Sequence, residues 1–107
     1  MNRKYYVRFT SGFDKDVDKL SPQNRRLVFE TVKIMEDDPY YQSLRTKKMK
    51  GRRKYQRELY ESRVNRDIRL IWYFDDDNDK IIVMLEVGHH DVESRGKYRG
   101  IDFIDNN

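Results

Sequence analysis

Arg63 and Arg69 flank the turn signal Asn65-Arg66-Asp67, which separates two runs rich in β-branched and aromatic residues. If a three-residue turn joins those runs as a hairpin, Val64 faces Ile68 and the two arginines stand directly across from each other. Like charges in that position are destabilising, and two guanidinium groups so placed are suited to gripping an anion. A two-residue turn would put them on opposite faces, and each could instead snorkel or pair with Glu61, Asp67 or Glu86. The chain's two histidines, His89 and His90, follow Gly88 at the end of the last strand-like run. Histidine suits proton transfer near neutral pH, although an exposed or capped strand end is the plainer reading. Adjacent strand residues point to opposite faces, so the pair is not expected to share a metal.

A third cluster is purely electrostatic. Between residues 45 and 57 stand Arg45, Lys47, Lys48, Lys50, Arg52, Arg53, Lys54 and Arg57, eight cations with no carboxylate among them. Outside this segment 15 basic residues face 19 acidic ones, so the formal +4 of the chain is a +8 segment set against a −4 remainder. Such a run repels itself, and a phosphate backbone relieves the repulsion better than solvent does. Tyr55, Tyr60 and Tyr73 are candidate stacking partners for unpaired bases, which favours RNA over duplex DNA.

Several chemistries are excluded. There is no cysteine, hence no thiol nucleophile, zinc thiolate or disulfide. Asp75, Asp77, Asp79 and Glu86 match four positions of a calcium loop, but Lys80 replaces the required glycine and strand formers flank the run, so an acidic hairpin turn explains it better. No phosphate-binding loop, serine elbow or zinc-hydrolase helix is present. No cofactor is expected.

The elements that must position these groups follow from periodicity. Tyr5, Val7 and Phe9 alternate with Tyr6 and Arg8 as in a half-buried strand. Ser11 is a candidate cap for a short helix with Phe13, Val17 and Leu20 on one face. Ser21-Pro22 starts a second helix, striped by Leu27, Val28, Thr31, Val32 and Met35, and Asp38-Pro39 stops it. Glu36, Asp37 and Asp38 then sit at the unfavourable end of its dipole. Three strands are predicted at Glu58 to Val64, Ile68 to Phe74 and Lys80 to Val87. The sum is an α+β fold: an N-terminal strand, two helices, then an antiparallel three-stranded meander, with the helices on one face. At 107 residues, with 36% hydrophobic, 39% charged and 13% aromatic residues, the chain is too charged to span a membrane and too aromatic for disorder. One domain over residues 1–107 is expected, with a core at about 4–92, an unassigned tail at 93–107, and a cytoplasmic location.

Taken in order, Phe13-Asp14-Lys15, Lys19-Leu20-Ser21-Pro22, Asp38-Pro39, Met49-Lys50-Gly51, Arg63-Val64, Arg69-Leu70-Ile71-Trp72-Tyr73 and Glu86-Val87-Gly88-His89-His90 resemble the RelE/ParE superfamily of bacterial toxins, over roughly residues 4–92. The resemblance implies a RelE/YoeB-like endoribonuclease that cuts messenger RNA on the ribosome, without metal, and is silenced by a cognate antitoxin. It implies that Arg69 and Arg63 hold the scissile phosphate, that His90 moves a proton, and that Lys48 or Lys50 assists. Arg45, Lys47, Arg52, Arg53, Lys54, Tyr55, Arg57 and His89 would then contact RNA. Two features depart from the YoeB pattern: Asp91 rather than tyrosine follows His90, with Tyr98 as the one tail substitute, and Gln42-Ser43 stand where a glutamate base precedes the leucine. The identity of the general base stays open. Two alternatives are a ParE-like gyrase inhibitor, a branch that generally lacks the histidine, and a non-catalytic RNA- or ribosome-binding module. The antitoxin is expected to bring an acidic segment to the basic one.

Overall fold

The structure, a computed structural model, describes residues 3–54 and 57–90, with the side chains of residues 50–54 outside that description. Tyr55, the side chains of Lys50, Arg52, Arg53 and Lys54, and the tail from residue 91 therefore lie outside the described residues.

The order is β1 (Tyr6–Phe9), α1 (Ser11–Asp18), α2 (Pro22–Asp37), a short 3-10 turn (Gln42–Leu44), then β2 (Lys47–Lys54), β3 (Arg57–Arg63), β4 (Ile68–Phe74) and β5 (Ile81–His89). The α+β class and the expected element order hold. The meander, however, has four strands, because the cationic segment is itself a strand at the sheet edge, in the order β1-β5-β4-β3-β2. A run of cations carries no apolar alternation, so local pattern does not reveal it. Its pairing with β3 does: Lys47 lies across from Glu61, where opposite charges in register are favourable, and the ladder continues to Lys54 across from Arg57.

β1 joins the far side of the sheet parallel to β5, from Tyr6 across from Ile81 to Phe9 across from Met84. Where β1 ends, α1 covers the edge of β5. Its cap is Thr10 rather than Ser11: the hydroxyl accepts from the Phe13 amide at 3.2 Å and donates to the Met84 carbonyl at 2.8 Å. One turn later the buried Asp16 carboxylate accepts from the Val87 amide at 3.2 Å. α2 starts as expected, with Ser21 accepting from the Asn24 amide at 3.1 Å and Pro22 in the first turn. The acidic end of α2 has local uses. Asp38 Oδ1 accepts from the Tyr40 amide at 2.9 Å, and Glu36 pairs with Arg3 at 3.3 Å.

Apolar side chains lie on both faces of the sheet. Phe13, Val17, Val28 and Met35 pack on Ile68, Leu70, Trp72 and Met84 on the helix side. The other face carries a smaller cluster of Met49, Leu59, Ile71, Tyr73, Val83 and Leu85. A bulge sets which residues share that second face. Ile71 is across from Glu86 but Trp72 is across from Met84, so Leu85 is the extra residue and the alternation of β5 shifts by one.

Candidate functional site

The hairpin between β3 and β4 has the three-residue turn. Arg63 is across from Arg69, and the Val64 amide donates to the Ile68 carbonyl at 2.9 Å. Asn65 makes this turn without glycine: its Oδ1 accepts from the amides of Asp67 (2.9 Å) and Ile68 (2.7 Å). Both arginines lie on the face away from the helices, since the neighbouring Val64 and Ile68 pack into the helix-side core.

The carboxylates offered by the sequence do not take them. Arg69 Nη1 donates to the carbonyls of Asn65 at 2.9 Å, Arg66 at 3.0 Å and Ile68 at 3.3 Å, so the guanidinium clasps the turn. Arg63 is exposed and, among the described residues, pairs with no carboxylate. On the other side of Arg69 stands Gly88, placed there by the bulge in β5. Arg63, Arg69 and Gly88 thus form a row across three strands, with two cations beside a position that has no side chain to fill the space.

The histidines sit at the same end of the sheet. His89 is across from Ile68, hence on the helix side, and its Nδ1 is 2.5 Å from Asp67 Oδ2. His90 is exposed, just past the end of β5, and its amide reaches Asp67 Oδ1 at 3.4 Å. The bond from His89, then the His90 amide and the charges of both rings, hold the Asp67 carboxyl below its ordinary range. An ionised carboxylate only accepts, so Nδ1 of His89 carries the proton in this contact. Among the described residues no group of three or more histidine or carboxylate side chains is arranged to hold a metal ion.

The cations divide between the faces. Lys47 Nζ is 3.5 Å from Glu61 Oε1, on the arginine face. Lys48 is across from Tyr60 and so on the helix side, away from Arg63 and Arg69, because a strand alternates its side chains and Tyr60 packs on the helix-side core. The sequence grouped Lys48 with the two arginines, and the register separates them. Arg45 is the one described non-glycine residue with positive φ, at φ 48°, in the link between the 3-10 turn and β2. Arg57 lies at the far end of the arginine face, six residues and about 20 Å along β3 from Arg63. Its Nε and Nη2 bond the Asp76 carboxylate at 3.1 and 2.7 Å, and its guanidinium lies 4.7 Å from the Tyr73 ring centre.

The aromatic platforms are also reassigned. Tyr73 is only 3% exposed, a core residue beneath Arg57. Tyr60 already stacks on Trp72 at 4.8 Å and meets Tyr40 and Phe74 edge-on. Partial burial and a hydrogen bond with Tyr60 push the Tyr40 hydroxyl up to about 12, which keeps it neutral. Sequence reasoning missed Asn65 and Asp67 as the residues that hold the site together; the Asn-x-Asp spacing in a tight turn was the available signal.

No protein-family model matches the sequence, and a search of curated proteins finds no relative. Solved structures do match. RelE in the archaeal RelE–RelB complex of Pyrococcus horikoshii is 24% identical over 80% of this chain and 94% of that one, with a TM-score of 0.64. The RelBE2 toxin–antitoxin complex of Mycobacterium tuberculosis gives 25% identity, 81% and 99% coverage, and a TM-score of 0.62. The YoeB dimer of Staphylococcus aureus gives 16% identity, 81% and 98% coverage, and 0.56. The five-stranded sheet with two helices on one face is the fold of the RelE-like toxin superfamily.

Proposed function

We propose that this chain is the toxin of a toxin–antitoxin pair and that it cleaves messenger RNA by in-line attack of the 2′-hydroxyl on the adjacent phosphodiester. The observation that carries the reading is the Arg63–Arg69 pair: two guanidinium groups in register on an open sheet face, with both histidines at the same end. RNA contains its own nucleophile. Cleavage needs a base at the 2′-oxygen, an acid for the departing 5′-oxygen, and positive charge around the phosphorane. Arg69 and Arg63 supply the charge and His90 moves one of the protons. The 2′-oxygen bonds phosphorus as its proton leaves, the bond from phosphorus to the 5′-oxygen breaks, and that oxygen takes up a proton. The products are a 2′,3′-cyclic phosphate and a 5′-hydroxyl, and the scheme uses no metal. Lys47 on the arginine face and Arg45 beside β2 are available to the incoming strand, with Arg57 and His89 at its margins; the same reading gives RNA contacts to Lys50, Arg52, Arg53, Lys54 and Tyr55, whose side chains lie outside the described residues.

The antitoxin reading rests on the neighbours, several of which are complexes of toxin with antitoxin, RelE with RelB and YafQ with DinJ. By charge, the partner of this chain brings an acidic segment to β2 and the arginine face. No helix among the described residues is long and apolar enough to cross a membrane. Cutting of messenger on the ribosome, as part of the same proposal, would put the action in the cytoplasm.

The test is to express wild type, Arg69→Ala, His90→Gln and Lys50→Ala, map messenger 5′ ends during translation, and run a gyrase supercoiling assay alongside. Wild type cuts. Arg69→Ala slows cutting by about 10²–10³-fold, the usual cost of one transition-state donor. Intact transcripts with blocked supercoiling would replace this reading with gyrase inhibition. Cleavage that stops with a chelator and returns with magnesium would remove the metal-free scheme.

A further inference from the structure

The turn between β3 and β4 bonds in three directions. Inward, Asn65 Oδ1 accepts two amides and locks the turn. Along β4, the Asn65 and Arg66 carbonyls hold Arg69 Nη1. Across to β5, the Asp67 carboxylate takes the His89 ring on one oxygen and the His90 amide on the other. The register of β4 with β5 ends at Ile68 and His89, so this last contact ties down the chain one residue beyond the sheet. After the bulge, Glu86 and Gly88 share the arginine face and His89 does not, and His90 is the exposed turn residue that follows at the same end of the sheet.

We propose that Asp67 is a positioning residue for RNA cleavage: anchored in the turn that clasps Arg69, it holds His89 and the His90 backbone so that the His90 ring is presented beside the arginines. This inference rests on the ribonuclease reading above. Arg69 lies in β4 and His90 just past the end of β5, and the Asn65–Asp67 turn bonds the Arg69 side chain and the His90 amide. Geometry of this kind matters, since a misplacement of about 1 Å at a reacting group costs on the order of 10²-fold in rate. It is not a device for stability. The side chains of His89 and Asp67 are 61% and 49% exposed, and exposed pairs contribute little to folding. The fold therefore outlasts the loss of the pair, and its effects are readable.

The experiment uses the full chain as wild type, Asp67→Asn and Asp67→Ala. Imidazole nitrogen-15 spectra report which nitrogen of each histidine is protonated, urea titrations report folding, and single-turnover cleavage of messenger on programmed ribosomes is followed against pH. Asn retains an acceptor and Ala retains none. In wild type His89 holds its proton on Nδ1; in Asp67→Ala that preference is lost, the urea midpoint stays put, and cleavage falls by roughly 10–100-fold at unchanged half-saturation, with a shifted pH profile. Asp67→Asn falls between the two. Full-speed cleavage by Asp67→Ala with an unmoved pH profile overturns the proposal, as does a loss explained by unfolding or weaker ribosome binding alone. If wild type leaves RNA intact, the ribonuclease reading falls and takes the catalytic role with it. The imidazole spectra then show separately whether Asp67 holds the histidines.

Discussion

Arg69 commits one of its three guanidinium nitrogens to its own turn. Nη1 is committed to main-chain carbonyls, while among the described residues Nε and Nη2 make no bond. That division needs a planar fork, which lysine lacks. Arg69→Lys, which preserves the charge, is accordingly expected to lose most of the activity that Arg69→Ala loses, measured as the single-turnover rate on programmed ribosomes. A near-wild-type rate would mean that charge alone suffices there. Asp67 allows a second statement at this scale. Its carboxyl is held below the ordinary aspartate range, with the His89 bond the first cause. A depressed carboxyl contributes stability above its unfolded pKa, and the contribution is lost as pH falls through the lower folded value. A carbon-13 titration of the Asp67 carboxyl should therefore show a midpoint below the ordinary aspartate range in wild type, returning towards that range in His89→Gln. A midpoint unchanged by that substitution would dissociate the shift from the histidine.

Among the elements, β3 and β4 are joined by more than their ladder. Trp72 Nε1 donates to Ser62 Oγ at 2.9 Å, Ser62 Oγ lies 2.6 Å from Thr46 Oγ1, and Thr46 donates to the Pro39 carbonyl at 2.7 Å. Because Thr46 supplies its proton to Pro39, Ser62 donates to Thr46 and accepts from the indole. Ser62 and Trp72 are fully buried, so Ser62→Ala strands the indole N–H and costs about 1–3 kcal/mol of unfolding free energy in a urea titration. Thr46 keeps Pro39 in that variant. The hairpin that carries the arginines was legible in sequence because both its signals are local: β4 runs from Ile68 to Phe74 as read, and Asn65 sets the loop length. β2 was not legible, since Lys47–Lys54 has no apolar alternation of its own and is a strand through its pairing with β3. The bulge at Leu85 was equally hidden. It requires knowing that β5 has partners on both sides, with β1 stopping at Phe9, and it decides that Gly88 and not Val87 stands beside Arg69. The misplaced cap has the same origin, because Thr10 outcompetes Ser11 by also bonding Met84, 74 residues away.

For the whole molecule, the strand order gathers positive charge at one edge and leaves the helix layer on the opposite face from the arginines. A net charge of +4 would steer any polyanion weakly, whereas eight cations over residues 45–57 steer it to one side. If RNA lies on the arginine face, the two faces of that edge contribute differently to binding. Binding to a single-stranded RNA with a 2′-deoxy scissile position, which cannot be cut, separates them through its salt dependence. Each phosphate neutralised adds about 0.7 to the slope of log affinity against log salt. Arg63, exposed and unpaired among the described residues, should lower the slope by about that amount when changed to Gln. Lys48→Gln, across from Tyr60 on the helix side, should leave it unchanged although the net charge drops equally. Equal slopes for the two variants would mean that the strand wraps the β2 edge, and that net charge rather than the face presented governs where the anion sits.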